Sequence, residues 1–226
     1  AEAFARKGIP QKLFTKASEL RKDAKSHNIP EHILGKPLKE ESIIYIKENM
    51  TDIEKEARMS GQPHDKGVQI ITGFLGQTYA QNFPLSLSCR VCFEQNYNGI
   101  DGDSASSTEL YCILSSLSEL PIRQDLAVTG SVNQKGEIQA IGGGTYKIEG
   151  FFDLCKKRGL TGKQGVIIPV SNVKDLVLKD EVVEAVKEGM FHIYPITHID
   201  EGIELLMGVP AGKKNKTGNF PANSVH

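Results

Sequence analysis

Three stretches of the chain place apolar residues every three or four positions, the spacing that puts them on one face of a helix. These residues are Val68, Ile71 and Leu75; Leu110, Ile113, Leu114 and Leu117; and Ile148, Phe151, Phe152 and Cys155. The third stretch ends in three basic residues at 156–158 and then Gly159. Basic side chains suit the negative end of a helix dipole, and glycine turns easily into a left-handed conformation. The pattern predicts three amphipathic helices, the second beginning near Ser104.

Short apolar runs between these helices predict strands. They are "LSLSCRVCFEQ", "GVIIPV" and "FHIYPI", and the last two each precede a helical stretch. The stretch "LAVTGSVNQKGEIQAIGG" has two extended runs around residues 133–136, which is typical of a hairpin. From Thr51 onward, strands and helices therefore alternate.

The two ends of the chain differ from this pattern. Residues 1–50 are charged and helical in pattern, with two prolines and a short apolar run, "SIIYI", near their end. We predict a helical connector or accessory segment there. Residues 209–226 show no periodicity and predict a flexible tail.

Composition excludes several classes of partner. The 27 Lys and Arg residues nearly balance the 28 Asp and Glu residues, so no net charge attracts nucleic acid or anionic membrane. No apolar run approaches the roughly 20 residues that span a bilayer, and the first residues lack the apolar stretch of a secretory signal. We expect a cytoplasmic protein with no nucleic-acid or membrane partner.

The four cysteines are Cys89, Cys92, Cys112 and Cys155. The first two form a C-x-x-C pair, which could begin a zinc site, but no histidine is suitably spaced beside them. We interpret all four as reduced thiols of the core and predict no metal site.

The candidate chemistry begins at "DGDSAS", in which Ser104 stands directly before the second helix. A catalytic serine needs a neighbouring base and donors for the oxyanion that it creates. Gly102 permits a tight turn, and the first N–H groups of the helix could bind an oxyanion. Ser104 could equally be an ordinary helix cap.

Lys147 is the candidate base. It follows three glycines in "IGGGTYKIEG" and precedes the apolar Ile148, so it lies near a helix N-terminus at the edge of a buried face. Burial and the positive end of the dipole both favour the neutral amine, which can accept a proton. A lone lysine, however, is usually a solvated one. Among the histidines, His64 in "GQPHDKG" is interpreted as a polar loop residue.

The two motifs together resemble the proteolytic domain of the Lon protease family. "DGDSAS" and "IGGGTYKIEG" are separated by the predicted hairpin, and the serine motif is similar to that of the B-type branch. The resemblance covers residues 51–208. It implies an α+β fold in which a mixed β-sheet is packed by helices, and it implies a serine endopeptidase acting on unfolded proteins or peptides.

The resemblance also assigns residue roles. Ser104 is the implied nucleophile and Lys147 the implied base of a Ser-Lys dyad. Thr129, in "VTG", matches the threonine that binds the lysine amine, and Asp101 matches the acidic residue that helps set the turn before the serine. The residues 144–146 before the lysine depart from the usual family sequence but keep its spacing. Residues 1–50 differ from the strand-rich opening that the family implies.

Family members act in ATP-dependent proteolysis and protein quality control and form hexameric rings, so a homo-oligomer is implied. No phosphate-binding G-x-x-x-x-G-K-[ST] motif occurs in the sequence. We therefore expect no cofactor in this chain, with ATP bound only by a separate or missing ATPase module.

Two other interpretations stay open. A Lon-like scaffold without activity could serve assembly or binding, because a fold alone does not fix a function. A histidine-dependent serine hydrolase is the third possibility, although the G-x-S-x-G motif is absent.

Overall fold

The computed structural model describes residues 39–45, 49–81, 87–94 and 96–226. The strands of this part are β1 (Lys39–Tyr45), β2 (Asn49–Asp52), β3 (Ser88–Glu94), β4 (Leu126–Val128), β5 (Ser131–Val132), β6 (Ile138–Gln139), β7 (Gly165–Pro169) and β8 (His192–Ile196). Its helices are α1 (Ile53–Glu56), α2 (Gln62–Tyr79), α3 (Ser106–Ser118), α4 (Gly144–Arg158), α5 (Asp180–Lys187) and α6 (Ile199–Met207), and a 3₁₀ helix spans Val170–Asp175. The α+β fold class is confirmed.

A parallel sheet in the order β4-β7-β8 forms the centre of the fold. Leu126 pairs with Gly165, and Gly165 pairs with His192. All five residues of β7 are buried, as expected for a parallel strand covered by helices on both faces. Successive residues point to opposite faces, so Ile167 and Val166 belong to different hydrophobic cores.

These two cores lie on either side of the parallel sheet. Core A contains buried residues of α2, α3 and α6, including Ile71, Leu110 and Ile203. Core B contains buried residues of α4 and α5, including Ile148 and Val182. The amphipathic patterns of α2 and α4 place these residues inward, and all residues predicted for their buried faces are buried.

A second sheet, in the order β1-β3-β2, is mixed. Strand β1 runs antiparallel to β3, with Ile43 opposite Arg90, and β2 runs parallel to β3, with Met50 opposite Cys89. The predicted hairpin is confirmed as β5 paired with β6, turning through Gly136 at φ 85°.

Two predictions from the pattern are wrong. Residues 1–50 were predicted to be helical, but β1 and the first two residues of β2 lie within this segment and are strand. Residues 1–38 lie outside the part of the chain that the structure describes. Leu117 is 45% exposed, because α3 ends one residue later, at Ser118, and Glu119 turns left-handed at φ 57°.

The predicted stop of α4 is correct. Its last turn carries the three basic residues 156–158, and Gly159 follows with φ 90°. Gly202 of α6 faces Tyr111 of α3 so closely that a side-chain carbon at 202 would collide with the tyrosine hydroxyl. The glycine therefore lets these two helices approach in core A.

The segment 209–226 lies against the rest of the fold. Lys214 Nζ donates to the Thr78 carbonyl at 2.9 Å, and His226 Nε2 lies 3.1 Å from Asp200 Oδ1. Whether this segment is flexible in solution stays a prediction, as do the domain boundaries. Within the described residues, each helix is too short or too polar to cross a membrane.

Candidate active site

A tight turn carries Ser104 into the start of α3. Gly102 adopts φ 84°, a conformation that costs little only for glycine. A side-chain carbon at this position would meet no other atom, so glycine is needed for its backbone conformation and not for lack of space. Ser104 is 8% exposed, and α3 begins two residues later.

Backbone and hydroxyl hydrogen bonds join this turn to the segment after β4. Gly130 N donates to the Ser104 carbonyl at 2.9 Å. The Gly130 carbonyl accepts from Ser107 N at 3.3 Å and from Ser107 Oγ at 2.7 Å, and Val132 N donates to Ser106 Oγ at 3.0 Å. Sequence reasoning missed Ser106 and Ser107, although the run of small hydroxyl residues in "SASS" was a usable signal.

Lys147 lies in the first turn of α4, as predicted. Gly143 precedes the helix at φ 69°, and Lys147 N donates to its carbonyl at 3.1 Å. Ile148, fully buried in core B, fixes the helix next to the lysine. The loop before α4 is held by Asn172, whose side chain accepts from Ile141 N at 3.0 Å and donates to the Ile141 carbonyl at 2.8 Å. Asn172 was not singled out from the sequence.

The lysine amine lies between two hydroxyl groups. Lys147 Nζ is 2.9 Å from Ser104 Oγ and 3.0 Å from Thr129 Oγ1. Thr129 is 3% exposed, and its backbone N donates to the Ile167 carbonyl at 3.1 Å, so the threonine is held in line with the parallel sheet. The structure thus brings together three of the four residues predicted for the site.

Asp101, the fourth, lies on the exposed side of the turn. Its Oδ1 accepts from Gly102 N at 2.7 Å. A side-chain carbon at Gly61 would collide with the Asp101 carboxylate, so the segment before α2 packs directly on this aspartate. This placement agrees with a role in shaping the turn.

The first N–H groups of α3 already have backbone acceptors. Ser106 N donates to the Asp103 carbonyl at 3.0 Å, and Ser107 N donates to the Gly130 carbonyl. The N–H groups of Ser106 and Ser107 are therefore occupied, the first by the turn before α3 and the second by the segment after β4, so these two do not supply free oxyanion donors.

His64 is buried on α2, not in a polar loop. Its side chain is 2% exposed, and its ring nitrogens lie 3.2 Å from Asp52 Oδ2 and 3.5 Å from Glu109 Oε1. "GQPHDKG" looks like a loop, but Pro63 falls in the first turn of α2, where a helix tolerates proline.

The site has the components of serine chemistry with an amine base. A hydroxyl, an amine and a second hydroxyl lie within hydrogen-bonding distance in a partly buried setting. In the part of the chain that the structure describes, no group of three or more His, Cys, Asp or Glu residues is placed to hold a metal ion.

Comparison with known proteins identifies the family. A family model for the Lon protease (S16) C-terminal proteolytic domain matches residues 96–208, half of the 226-residue chain. The chain belongs to this family. The resemblance seen in the serine and lysine motifs is therefore confirmed.

Individual relatives agree with this assignment. The chain is 42% identical over 176 residues to a Lon protease homolog of Escherichia coli (strain K12), covering 77% of this chain and 30% of that protein. It is 45% identical over 166 residues to a Lon protease homolog of Haemophilus influenzae, covering 73% and 28%. An archaeal Lon protease of Thermococcus kodakarensis is 34% identical over 169 residues, covering 75% and 23%. The chain therefore spans less than a third of the length of each of these relatives.

Proposed function

We propose that this chain is a serine endopeptidase that cleaves unfolded proteins or peptides through a Ser-Lys dyad. Ser104 is the nucleophile and Lys147 is the general base. The observation that carries the proposal is the distance of 2.9 Å between Lys147 Nζ and Ser104 Oγ. Membership of the Lon proteolytic-domain family supports the same reaction class.

The hydrogen bonds around the amine suit a neutral lysine. A neutral amine has two N–H donors and one lone pair. If one N–H donates to Thr129 Oγ1 at 3.0 Å, the lone pair can accept the hydroxyl proton of Ser104. Thr129 orients the amine without adding a charge.

The reaction then proceeds in two halves. Ser104 Oγ attacks the peptide carbonyl carbon as Lys147 Nζ takes its proton, and the carbonyl oxygen becomes an oxyanion. When the tetrahedral intermediate collapses, the C–N bond breaks and the departing amine takes the proton from Lys147. Water then attacks the Ser104 ester, with Lys147 again as base, and releases the acid product. In this scheme Asp101 shapes the turn and remains outside the proton transfer.

Labelling with a fluorophosphonate or a peptide boronate tests the proposal. We expect modification of Ser104 in the native protein, and no labelling or casein cleavage in Ser104→Ala. The matched control is Ser118→Ala, which removes another hydroxyl in the last turn of α3 and should leave labelling unchanged. A folded native protein without label at Ser104 would instead favour a catalytically silent scaffold.

The wider setting of this reaction is also a proposal. The chain would form the protease part of a cytoplasmic, ATP-dependent Lon-type enzyme, assembled as a homohexamer and acting in protein quality control. By itself it should cleave flexible peptides without nucleotide and fail on stably folded proteins, whose unfolding costs roughly 5–15 kcal/mol. ATP hydrolysis by the pure chain would contradict this assignment.

A further inference from the structure

Four ionisable side chains are buried together behind the turn that carries Ser104. They come from four elements: Asp52 from the end of β2, Glu54 from α1, His64 from α2 and Glu109 from α3. Each is at most 5% exposed. The dyad chemistry does not use them, and burying charges is costly unless they are paired. The cluster therefore calls for a separate explanation.

His64 joins two carboxylates that belong to different elements. Its Nε2 lies 3.2 Å from Asp52 Oδ2, and its Nδ1 lies 3.5 Å from Glu109 Oε1. Both ring nitrogens can donate only in the imidazolium form. A protonated His64 therefore attracts both carboxylates at once.

The two carboxylates are not held equally. Asp52 Oδ1 accepts from Glu54 N at 3.0 Å, and Glu54 Oε1 accepts from Phe93 N at 2.8 Å, so this side of the cluster is fixed to backbone. The Glu109 carboxylate accepts no hydrogen bond within the described residues. The His64 ring nitrogen at 3.5 Å faces this carboxylate, so the imidazole contributes to the placement of the Glu109 side chain.

The same face of α2 supports the serine turn. His64 and Gly67 are three residues apart and so lie on one helical face. A side-chain carbon at Gly67 would lie 3.3 Å from Ser106 Cβ and 3.5 Å from Asp103 Cβ, which means that α2 contacts the residues on both sides of Ser104. Just before α2, Gly61 N donates to the Ile100 carbonyl at 2.8 Å. The helix and the turn are therefore one packed unit.

We propose that His64 is a positioning residue: as a cation between Asp52 and Glu109, it holds the first turn of α3 against α2 and so fixes Ser104 Oγ relative to Lys147 Nζ. The proposal rests on the peptidase function proposed above. Glu109 follows Ser104 by five residues, and Glu109 N donates to the Ala105 carbonyl at 3.0 Å. Movement of this turn would therefore displace the serine backbone.

The charges that face His64 favour its protonated form. Burial by itself would lower the pKa of His64, but the Asp52 contact and the carboxylates of Glu109, Asp52 and Asp65 together raise it above its ordinary value. Glu54 on α1 adds a further carboxyl near the ring, and β3 contributes the edge of Phe93. Burial raises the pKa of Glu109, and the nearby His64 charge lowers it. Removing the imidazole therefore leaves the Glu109 carboxyl buried without the partner that stabilises its charged form.

Single and double variants of the pair test the proposal. His64→Gln should lower the rate constant for acylation of Ser104 about tenfold to a hundredfold, as expected for a misplaced reacting group, with KM nearly unchanged. The double variant with Glu109→Gln also removes the buried ionisable carboxyl and should recover part of that loss. The control is His192→Gln, which removes a histidine of β8 that is hydrogen-bonded to the Gly162 carbonyl. This variant should leave the rate unchanged. All rates are measured per folded molecule.

Hydrogen exchange supplies a readout that does not depend on catalysis. In His64→Gln the amides of Thr108 and Glu109 should exchange at least about tenfold faster, whereas the Lys147 amide on α4 should not change. If His64 has only a structural role, His64→Gln will lower the melting temperature but leave the rate per folded molecule and the exchange of these amides as in the native protein. That result would overturn the proposal. If the native protein is not acylated at all, the peptidase function fails, and the exchange data still decide whether His64 holds the turn.

Discussion

Replacing Thr129 by valine isolates the hydrogen bond that orients the lysine amine. Valine keeps the branched shape that a strand end accommodates, and it removes only the hydroxyl that lies 3.0 Å from Lys147 Nζ. Thr129 is 3% exposed, so water cannot easily replace the lost acceptor. The valine variant should therefore fold normally with a less well oriented amine.

The size of the effect follows from the change in charge during the reaction. A hydrogen bond between neutral groups contributes about 0.5–1.5 kcal/mol, and one to a charged group contributes about 1.5–3 kcal/mol. In the proposed mechanism Lys147 takes the Ser104 proton, and the bond to Thr129 then changes from the first kind to the second. The difference, about 1–1.5 kcal/mol, acts on the transition state and corresponds to a kcat lower by about 5- to 15-fold.

Steady-state cleavage of a flexible fluorogenic peptide measures this effect. We expect the fall in kcat with KM unchanged, because the lost interaction strengthens only during proton transfer. Thr129→Ser keeps the hydroxyl and should retain activity within about threefold of the native protein, since its acceptor remains. A folded Thr129→Val protein with native kcat, or one that changes only KM, would refute the role of Thr129 in orienting the base.

Three further predictions follow from the site and its supports. Lys147→Arg should be as inactive as Lys147→Ala, because arginine remains protonated at any usable pH and cannot act as a base. Circular dichroism should show that both variants are folded. Substantial turnover by Lys147→Arg would show that position 147 provides only charge. Gly202→Ala should lower the free energy of unfolding by about 1–3 kcal/mol, because its new side chain collides with Tyr111 in core A. Gly76→Ala, in open space on α2, should instead raise the free energy of unfolding by about 0.4–1 kcal/mol. Denaturant unfolding compares the two variants, and equal effects would be inconsistent with the packing. As pH rises from about 5 to 8, the stability of the protein should fall, because the raised pKa values of His64 and Glu109 let the folded state keep protons that the unfolded chain releases. In the double His64→Gln, Glu109→Gln variant, a plot of melting temperature against pH should have a flatter slope.

The parts of the fold that the sequence predicted are those in which local spacing decides the structure. The buried faces of α2 and α4 follow from helical periodicity, and Gly159 ends α4 because of its own conformational freedom. The proximity of Ser104, Thr129 and Lys147 was a prediction from motifs, since no local rule connects residues so far apart in the chain.

The errors arise where distant contacts decide the structure. The charged sequence of β1 becomes strand by pairing with β3, which the periodicity of residues 39–45 does not reveal. His64 follows a glycine and a proline that suggest a loop, yet tertiary packing buries it among carboxylates. The N–H group of Ser107 is occupied because it donates to the Gly130 carbonyl, a contact between segments that the sequence shows only as separate motifs.

The position of the dyad between the two cores also affects when activity can appear during folding. Ser104 leads into α3, which packs in core A, while Lys147 precedes Ile148, which packs in core B. A partly folded chain with one core formed therefore has either a placed serine or a placed lysine, but not both. Under the proposed mechanism, cleavage therefore requires both cores to be in place, and regain of cleavage in refolding experiments should not precede the docking of the two cores.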